Sequence, residues 1–316
     1  MNQNNELHVV LGTGPIGMAI VEALLARGKS VRVVNRSGGA DVPAGVEVRG
    51  GDLSNPEEAI ALCGGASVVY STVSPPYDKW PELFPPLQAA VVEGAAAAGA
   101  KLVVLENVYM YGPNGGRPMV EDAPYAATTR KGRTRAAMSR ALMAAHESGK
   151  VRVVIARASD YFGPRGLLSN MGDRVFYPAL EGKPAQVLGN PDFPHTYTYL
   201  PDIGEGMAIL GESDAALGQV WHLPAAETLT TRQFVDVVYE EAGHPPRIQV
   251  VPKTILRLVG LFNAQVREVV EMLYQFEGPH VLDHSKYERT FGNESTPLRE
   301  AIRDTVRWYR QNPQGR

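Results

Sequence analysis

The chain has 316 residues, of which 44% are hydrophobic and 21% are charged, and its formal net charge is −3. This length suits one large domain or two unequal ones, and the weak negative charge gives no general attraction to nucleic acid or to an anionic membrane. A single cysteine, Cys63, excludes an internal disulfide and disfavours a cysteine-based zinc site. The first residues lack the basic and apolar regions of a signal peptide, and no run approaches ~18 apolar residues, so we expect a cytoplasmic protein without a membrane span.

Short apolar, β-branched runs alternate with helical stretches through the first half of the chain. The predicted strands lie at 8–12, 31–35, 46–52, 67–72, 101–107 and 151–163. Continuous apolar strands separated by helices are typical of a parallel sheet that is covered on both faces. The predicted fold class is therefore α/β, a doubly wound parallel sheet of the Rossmann type.

A glycine-rich turn, VVLGTGPIGMAI, joins the first strand to the first helix. Gly12 would permit the tight turn, Gly14 would let the backbone approach a pyrophosphate, and Gly17 would allow close packing of helix on strand. The helix N-terminus would then face the phosphates with free N–H groups. A plain βα turn is the alternative. The predicted cofactor contacts here are Gly12, Gly14, Pro15, Ile16 and Gly17.

The residues that end the second strand indicate which dinucleotide binds. A carboxylate about 20 residues after the glycines would bind the ribose hydroxyls of NAD. Asn35 takes that place, and Arg36 and Ser37 follow it. Because Arg36 can form charge-assisted bonds to a 2′-phosphate, these three residues favour NADP(H) over NAD(H). A solvated surface arginine is the alternative.

Two further loops supply candidate cofactor and substrate contacts. Asp52 and Leu53 follow the third strand and would contact the adenine, although capping of the next helix explains Asp52 almost as well. The loop YSTVSPPYDKW follows the fourth strand, where loops lie over the cofactor crevice. We expect its first polar residues to touch the nicotinamide half and its aromatic residues to line the substrate cleft, with simple loop packing as the alternative for the latter. These candidates are Ser71 and Thr72 for the cofactor, and Tyr77 and Trp80 for the substrate.

The order of these motifs resembles the short-chain dehydrogenase/reductase superfamily, in its extended branch that is similar to NAD-dependent epimerases and dehydratases. The resemblance covers almost the whole chain. It is carried by the glycine loop and by GDLSNPEEA, ENVYMYGP, RASDYFGP, HTYTYLPDIGEGMAIL and LTTRQFVDVVYEEAG, in that order. Several moderate matches in the right order are more specific than any one motif.

The resemblance implies a catalytic Ser or Thr after the fifth strand and a Tyr-x-x-x-Lys on the next helix. The chain departs from this pattern, because the corresponding positions hold Asn107, Lys131 and Arg135. Asn107 would polarise a substrate carbonyl, and Arg135 would hold the nicotinamide ribose. We expect burial beside Arg135 to lower the pKa of Lys131, which would then exchange protons near neutral pH.

Other interpretations of this segment stay open. Tyr109, Tyr111 and Tyr125 are candidate substitutes for the missing tyrosine, and Tyr109 belongs to the predicted catalytic set. The stretch TRKGRTRAAMSR would alternatively be a charged helix face without a catalytic role. A basic patch for nucleic acid is disfavoured because no aromatic residues are interleaved with the charges.

The chain loses its regular alternation after about residue 164. The resemblance implies a smaller C-terminal substrate domain of 165–185 and 230–316, with 186–229 returning to the Rossmann domain of 1–164. Tyr161 and Phe162 are predicted substrate contacts, Thr230 and Gln233 form a predicted capping box, and 254–276 reads as one apolar helical stretch. His280 and His284 have helical i, i+4 spacing, but no third ligand is evident, so no metal site is predicted.

These patterns favour an NADP(H)-dependent oxidoreductase that acts on a small, largely uncharged carbonyl or alcohol. The segments expected at the substrate are rich in aromatic residues and contain few of the arginines that a nucleotide sugar would need. An NADP(H) sensor without turnover, and an epimerase or dehydratase acting on a sugar-like substrate, are the alternatives. The expected state is a monomer or homodimer, with a small-molecule substrate and neither nucleic acid nor membrane as a partner.

Overall fold

The computed structural model describes residues 6–313, which divide into two compact units. Unit 1 contains the chain up to Met110 together with Arg130–Arg157 and Ile203–Leu223. Unit 2 contains Tyr111–Thr129, Ala158–Asp202 and the chain from Pro224 onward. This division differs from the one expected from the sequence, which placed 111–129, 158–164, 186–202 and 224–229 in the Rossmann domain; these four segments lie in unit 2.

Unit 1 is built on one parallel sheet of seven strands, which confirms the predicted fold class. Numbered in chain order, the strands are β1 (Leu7–Leu11), β2 (Ser30–Asn35), β3 (Glu47–Gly50), β4 (Val68–Ser71), β5 (Lys101–Glu106), β6 (Arg152–Arg157) and β11 (Val220–His222). Their spatial order is β11-β6-β5-β4-β1-β2-β3. The order reverses direction between β1 and β4, and crevices at such a reversal are where ligands bind in sheets of this kind.

Helices cover both faces of this sheet. They are α1 (Pro15–Ala26), α2 (Pro56–Cys63), α3 (Trp80–Ala97), α4 (Arg130–Glu147) and α6 (Leu200–Glu212). Apolar residues of α2, α3 and α4 form one buried cluster with alternate residues of the strands. On the other face α6 approaches α1 closely, since a Cβ on Gly204 would lie 2.4 Å from the carbonyl oxygen of Ala19. Cys63 is buried and unpaired.

Unit 2 combines short strand pairs with helices. Its elements are β7 (Asp160–Phe162), α5 (Asp173–Leu180), β8 (Ala185–Leu188), β9 (Pro194–His195), β10 (Tyr197–Tyr199), β12 (Leu229–Thr230), α7 (Thr231–Ala242), β13 (Ile248–Val251), α8 (Lys253–Gly260), α9 (Ala264–Glu271), α10 (Ser285–Phe291) and α11 (Leu298–Gln311). Buried residues of α5, α7 and α11 form its core together with β8. Among residues 6–313, no helix has both the length and the apolar character needed to cross a membrane.

The C-terminal region confirms one local prediction and corrects another. The side chains of Thr230 and Gln233 each accept a hydrogen bond from the other residue's backbone N–H, so the predicted capping box is present. The apolar stretch 254–276 is not one helix. Asn263 caps the start of α9 by accepting a hydrogen bond from the N–H of Val266, and this separates α9 from α8.

The buried His8 of β1 makes folding sensitive to acid. Its Nδ1 lies 3.0 Å from the hydroxyl of Tyr70 on β4, and burial lowers the pKa of His8 to about 4. The unfolded chain therefore takes up a proton between about pH 6.5 and pH 4 that the folded chain excludes.

We predict that stability falls as the pH drops through this window, by at most about 3 kcal/mol from this residue. His8→Gln should flatten the dependence, measured as the free energy of unfolding in urea at several pH values. His244→Gln, which changes an exposed side chain, is the control. An unchanged pH dependence in His8→Gln would contradict the assignment.

Candidate functional site

The glycine turn has the geometry that close approach of a phosphate requires. Gly12 has a φ of 106°, which disfavours any other residue, and a Cβ on Gly17 would lie 2.0 Å from the carbonyl oxygen of Gly12. A Cβ on Gly14, in contrast, would meet no atom within 4 Å. Gly14 is the N-cap of α1 and Pro15 is its first residue, with no side chain capping the helix. The space beside Gly14 is therefore open at the uncapped N-terminus of α1, as close approach of a dinucleotide needs, while the N–H of Gly12 donates to the carbonyl of Val34 at 2.8 Å.

The loop after β2 is organised by Asn35. Its Nδ2 donates to the hydroxyl of Thr13 at 3.1 Å and to the carbonyl of Gly39 at 2.8 Å, and its Oδ1 accepts from the N–H of Gly38 at 2.8 Å. Asn35 thus connects this loop to the glycine turn. Arg36 is exposed. The pKa of Asp52 is lowered mainly by hydrogen bonds from Ser54 and to a smaller extent by the positive charge of Arg36.

Four other predicted cofactor contacts have structural partners of their own. Asp52 Oδ1 accepts hydrogen bonds from the N–H and the hydroxyl of Ser54, at 2.9 and 2.7 Å. The interpretation of Asp52 as a helix cap is wrong, because the cap of α2 is Asn55. Leu53 is buried in the core cluster, which argues against an adenine contact. The hydroxyl of Thr72 donates to the carbonyl of Leu11 at 2.9 Å, directly before the glycine turn. Ser71 is buried at the end of β4.

The two basic residues predicted to be catalytic lie on the inner face of α4. Lys131 is 0% exposed and Arg135 is 2% exposed, whereas Arg130, Arg133 and Arg140 are exposed. Their spacing of four residues places them on one helix face, as predicted. The exposed arginines form a charged face of α4, and Lys131 and Arg135 lie outside that face.

Each of the two cations lies over an aromatic ring. The amine of Lys131 lies 4.4 Å from the ring centroid of Tyr77, and the guanidinium carbon of Arg135 lies 4.8 Å from that of Phe84. The hydroxyls of Tyr77 and Tyr109 are 3.2 Å apart. Lys131 thus lies over the ring of Tyr77, whose hydroxyl is hydrogen-bonded to that of Tyr109. Both tyrosines are partly exposed.

Two further predicted residues border this cluster. Asn107, which is partly exposed, follows β5, and its Oδ1 accepts from the N–H of Tyr109 at 3.2 Å, which fixes the turn that presents the tyrosine. Trp80 is 8% exposed, packs on Phe84, and donates from Nε1 to the carbonyl of Pro75 at 3.2 Å. Its burial argues against the predicted substrate contact and favours loop packing.

Sequence reasoning missed the carboxylate that compensates these buried cations. Glu106 ends β5, is fully buried, and lies 3.0 Å from Nε of Arg157 and 3.6 Å from a terminal nitrogen of Arg135. Burial lowers the pKa of Arg135, and the charge of Glu106 opposes that change. Arg157 also donates to the hydroxyl of Ser139 at 2.8 Å. The signal was present in the sequence as an acid that directly follows the apolar run 102–105 of β5.

Unit 2 holds the remaining candidates. Phe162 is 1% exposed and packs edge-on against Phe234 in the core, so its burial argues against substrate contact, whereas Tyr161 is partly exposed. Tyr111 and Tyr125 are in edge contact with each other, with ring centroids 6.1 Å apart.

The seven-stranded parallel sheet and its open glycine turn define a nucleotide-binding α/β protein of the Rossmann type. A family model described as NAD dependent epimerase/dehydratase family matches residues 9–223. The chain therefore belongs to the NAD dependent epimerase/dehydratase family, which confirms the resemblance to the extended short-chain dehydrogenases/reductases and the expectation of an enzyme.

Known proteins with similar chains act on different compounds. Mouse sterol-4-alpha-carboxylate 3-dehydrogenase, decarboxylating, is 26% identical over 95% of this chain and 82% of its own. The dTDP-6-deoxy-L-talose 4-dehydrogenase (NAD(P)(+)) of Kitasatospora kifunensis is 27% identical over 77% of this chain and 81% of its own. The fold matches that of Thermus thermophilus UDP-glucose 4-epimerase in complex with NAD, with a TM-score of 0.75 and 22% identity over 96% of this chain and 99% of that one.

We predict that Glu106→Gln destabilises the protein by about 3–5 kcal/mol, because it removes the buried carboxylate charge that lies beside two buried guanidinium groups. Glu93→Gln is the control, since Glu93 pairs with Lys150 where both side chains are more than 40% exposed, and exposed pairs contribute about 1 kcal/mol or less. Urea unfolding of both variants measures the difference. Equal losses in the two variants would contradict the role given to Glu106.

Proposed function

We propose that the protein is an NADP(H)-dependent oxidoreductase that transfers a hydride to or from a small, largely uncharged carbonyl or alcohol. The observation that carries this proposal is the pair of hydrogen-bonded phenols, Tyr77 and Tyr109, beside the buried amine of Lys131. The family supplies the context, since it is defined by dependence on a nicotinamide cofactor. The cofactor would supply the hydride, and the chain must supply the proton.

The proposed proton donor and acceptor is the hydroxyl of Tyr109. Lys131 belongs to the predicted catalytic set, but its complete burial prevents direct contact with a substrate from its observed position. Its positive charge, next to the ring of Tyr77, would stabilise the phenolate that remains after Tyr109 gives up its proton. Lys131 would therefore be a positioning residue, while Asn107 would orient Tyr109 and present its amide to the substrate oxygen.

Arg135 receives a different role from the one expected. The sequence suggested that it holds the nicotinamide ribose, but its side chain is buried and faces Glu106 and Phe84. We assign it to the support of α4 beneath Lys131. The glycine turn then provides the cofactor contacts for which open space exists.

The choice of NADP(H) is supported by the exposed Arg36 and by the way Asn35 shapes the loop around it. No carboxylate stands at the end of β2 to repel a 2′-phosphate. One relative, the talose dehydrogenase, is itself named for NAD(P)(+).

A second candidate function is epimerisation or dehydration of a sugar-like substrate, and the family description favours it. An oxidoreductase accumulates oxidised or reduced cofactor in step with turnover. An epimerase or dehydratase returns the hydride to its substrate, so its cofactor shows no net change. A sensor would bind NADPH without any turnover.

We predict that Arg36→Ala weakens NADPH binding by about 1.5–3 kcal/mol, which is roughly 10- to 150-fold, and leaves NADH binding nearly unchanged. Titration calorimetry of both cofactors measures this effect. Arg49→Ala removes another exposed arginine and should change neither affinity. Tighter binding of NADH than of NADPH by the unmodified protein would show the cofactor assignment to be wrong.

We predict that Tyr109→Phe lowers kcat at least about 100-fold while NADPH affinity is kept, because the variant loses only the hydroxyl that exchanges the proton. Turnover is followed by NADPH oxidation with a panel of aldehydes and ketones. Lys131→Met, which keeps the side-chain length, should lower kcat as well, and Tyr125→Phe should not. Full activity in Tyr109→Phe would instead transfer the acid's role to Lys131 or another tyrosine.

A further inference from the structure

Three potential metal ligands meet in unit 2, and none of them belongs to the predicted catalytic or cofactor-binding residues. Asp160 lies on β7 and His195 on β9, and His280 lies in the extended segment before α10. One donor atom from each residue lies within 4.8 Å of the other two. These residues are 35 and 85 positions apart along the chain, so only the fold brings them together.

The carboxylate of Asp160 is held on both sides. Its Oδ2 lies 2.8 Å from Nε2 of His195, and its Oδ1 accepts from Nδ2 of Asn170 at 2.8 Å. Asn170 thus fixes the carboxylate from behind, which is the function of outer partners around metal ligands in proteins. The side chain of Asp160 is 18% exposed, so an ion has a way in.

The two imidazoles are held by backbone pairing as well as by ring contacts. The N–H of Thr196 donates to the carbonyl of His280 at 3.0 Å, and the N–H of His280 donates to the carbonyl of Pro194 at 2.9 Å. The His195 ring stacks on Tyr197 and on Phe276, with centroids 4.5 and 5.2 Å away. The His280 ring lies beside that of His195, with centroids 4.8 Å apart.

We propose that Asp160, His195 and His280 bind a divalent transition-metal ion such as Zn²⁺. Two imidazoles and one carboxylate form a ligand set that suits Zn²⁺ and similar ions and leaves a position for water. Bond lengths of about 2.0–2.2 Å place tetrahedral donors about 3.4 Å apart, which small side-chain rotations reach from the observed cluster. The ion would replace the proton between His195 and Asp160, and that proton would move to Nδ1 of His195.

The other explanation is a structural hydrogen bond between Asp160 and His195, with His280 as a packing neighbour. The two explanations differ in what the third residue does. A structural bond needs only Asp160 and His195, whereas a metal site fails when any of the three ligands is lost. Metal binding also weakens when Asn170, which donates a hydrogen bond to the carboxylate of Asp160, is changed.

The test is Zn²⁺ binding by the full chain after treatment with a chelator, measured by competition with a chromophoric chelator and by elemental analysis after dialysis. We expect about one Zn²⁺ per chain. Asp160→Asn, His195→Gln and His280→Gln should each weaken binding at least about 100-fold, and Asn170→Ala about 10- to 100-fold, as loss of an outer partner does. His284→Gln is the matched control, because His284 pairs with Glu288 at 3.1 Å instead of joining the cluster.

Substitution with Co²⁺ gives a second readout, since its visible absorption reports the number and geometry of its ligands. The spectrum should be that of a four- or five-coordinate ion and should be lost in Asp160→Asn. That variant is almost isosteric, and thermal unfolding of the ion-free proteins checks that it folds. Absence of Zn²⁺ binding in the unmodified protein, or equal binding in Asp160→Asn, His280→Gln and the unmodified protein, would overturn the proposal.

Discussion

The buried carboxylate of Glu106 is the interaction on which the candidate active site of unit 1 depends. It compensates Arg157 of β6 and Arg135 of α4, two guanidinium groups that water does not reach. Burying a charge without a partner costs several kcal/mol of folding free energy. The inward orientation of Arg135 on α4 therefore depends on the buried carboxylate of Glu106. Lys131, one helical turn before Arg135, takes its place against Tyr77 as a consequence.

The features that the sequence predicted well have local causes. The strand and helix pattern, the glycine turn and the capping box of α7 depend on residues close together in the chain, and the structure contains them with one exception. The strand predicted over 151–163 is two strands, β6 in the seven-stranded sheet and β7, which pairs with β10. The inward face of α4 was also predictable, because Lys131 and Arg135 are four residues apart. Family membership followed from the order of such motifs.

The features that the sequence did not predict depend on tertiary contacts. Burial of Phe162 and Trp80 could not be read from aromatic residues that suit a cleft and a core equally well. The pairing of Glu106 with two arginines requires knowledge that β5, β6 and α4 are neighbours. His280 was compared with His284 because they are close in sequence, whereas its spatial neighbour is His195.

The order in which segments join unit 1 has a consequence for synthesis of the protein. The sheet of unit 1 is completed by β11, whose residues 220–222 follow two excursions of the chain into unit 2. The core of unit 2 in turn includes α11, at the far end of the described chain. Neither unit therefore has all of its segments until most of the polypeptide has been synthesised. Domains that are contiguous in sequence can fold one after another during synthesis. In this protein the edge of β6 stays unpaired until β11 has been made, so the nascent chain exposes an apolar strand that chaperones can bind for a longer time.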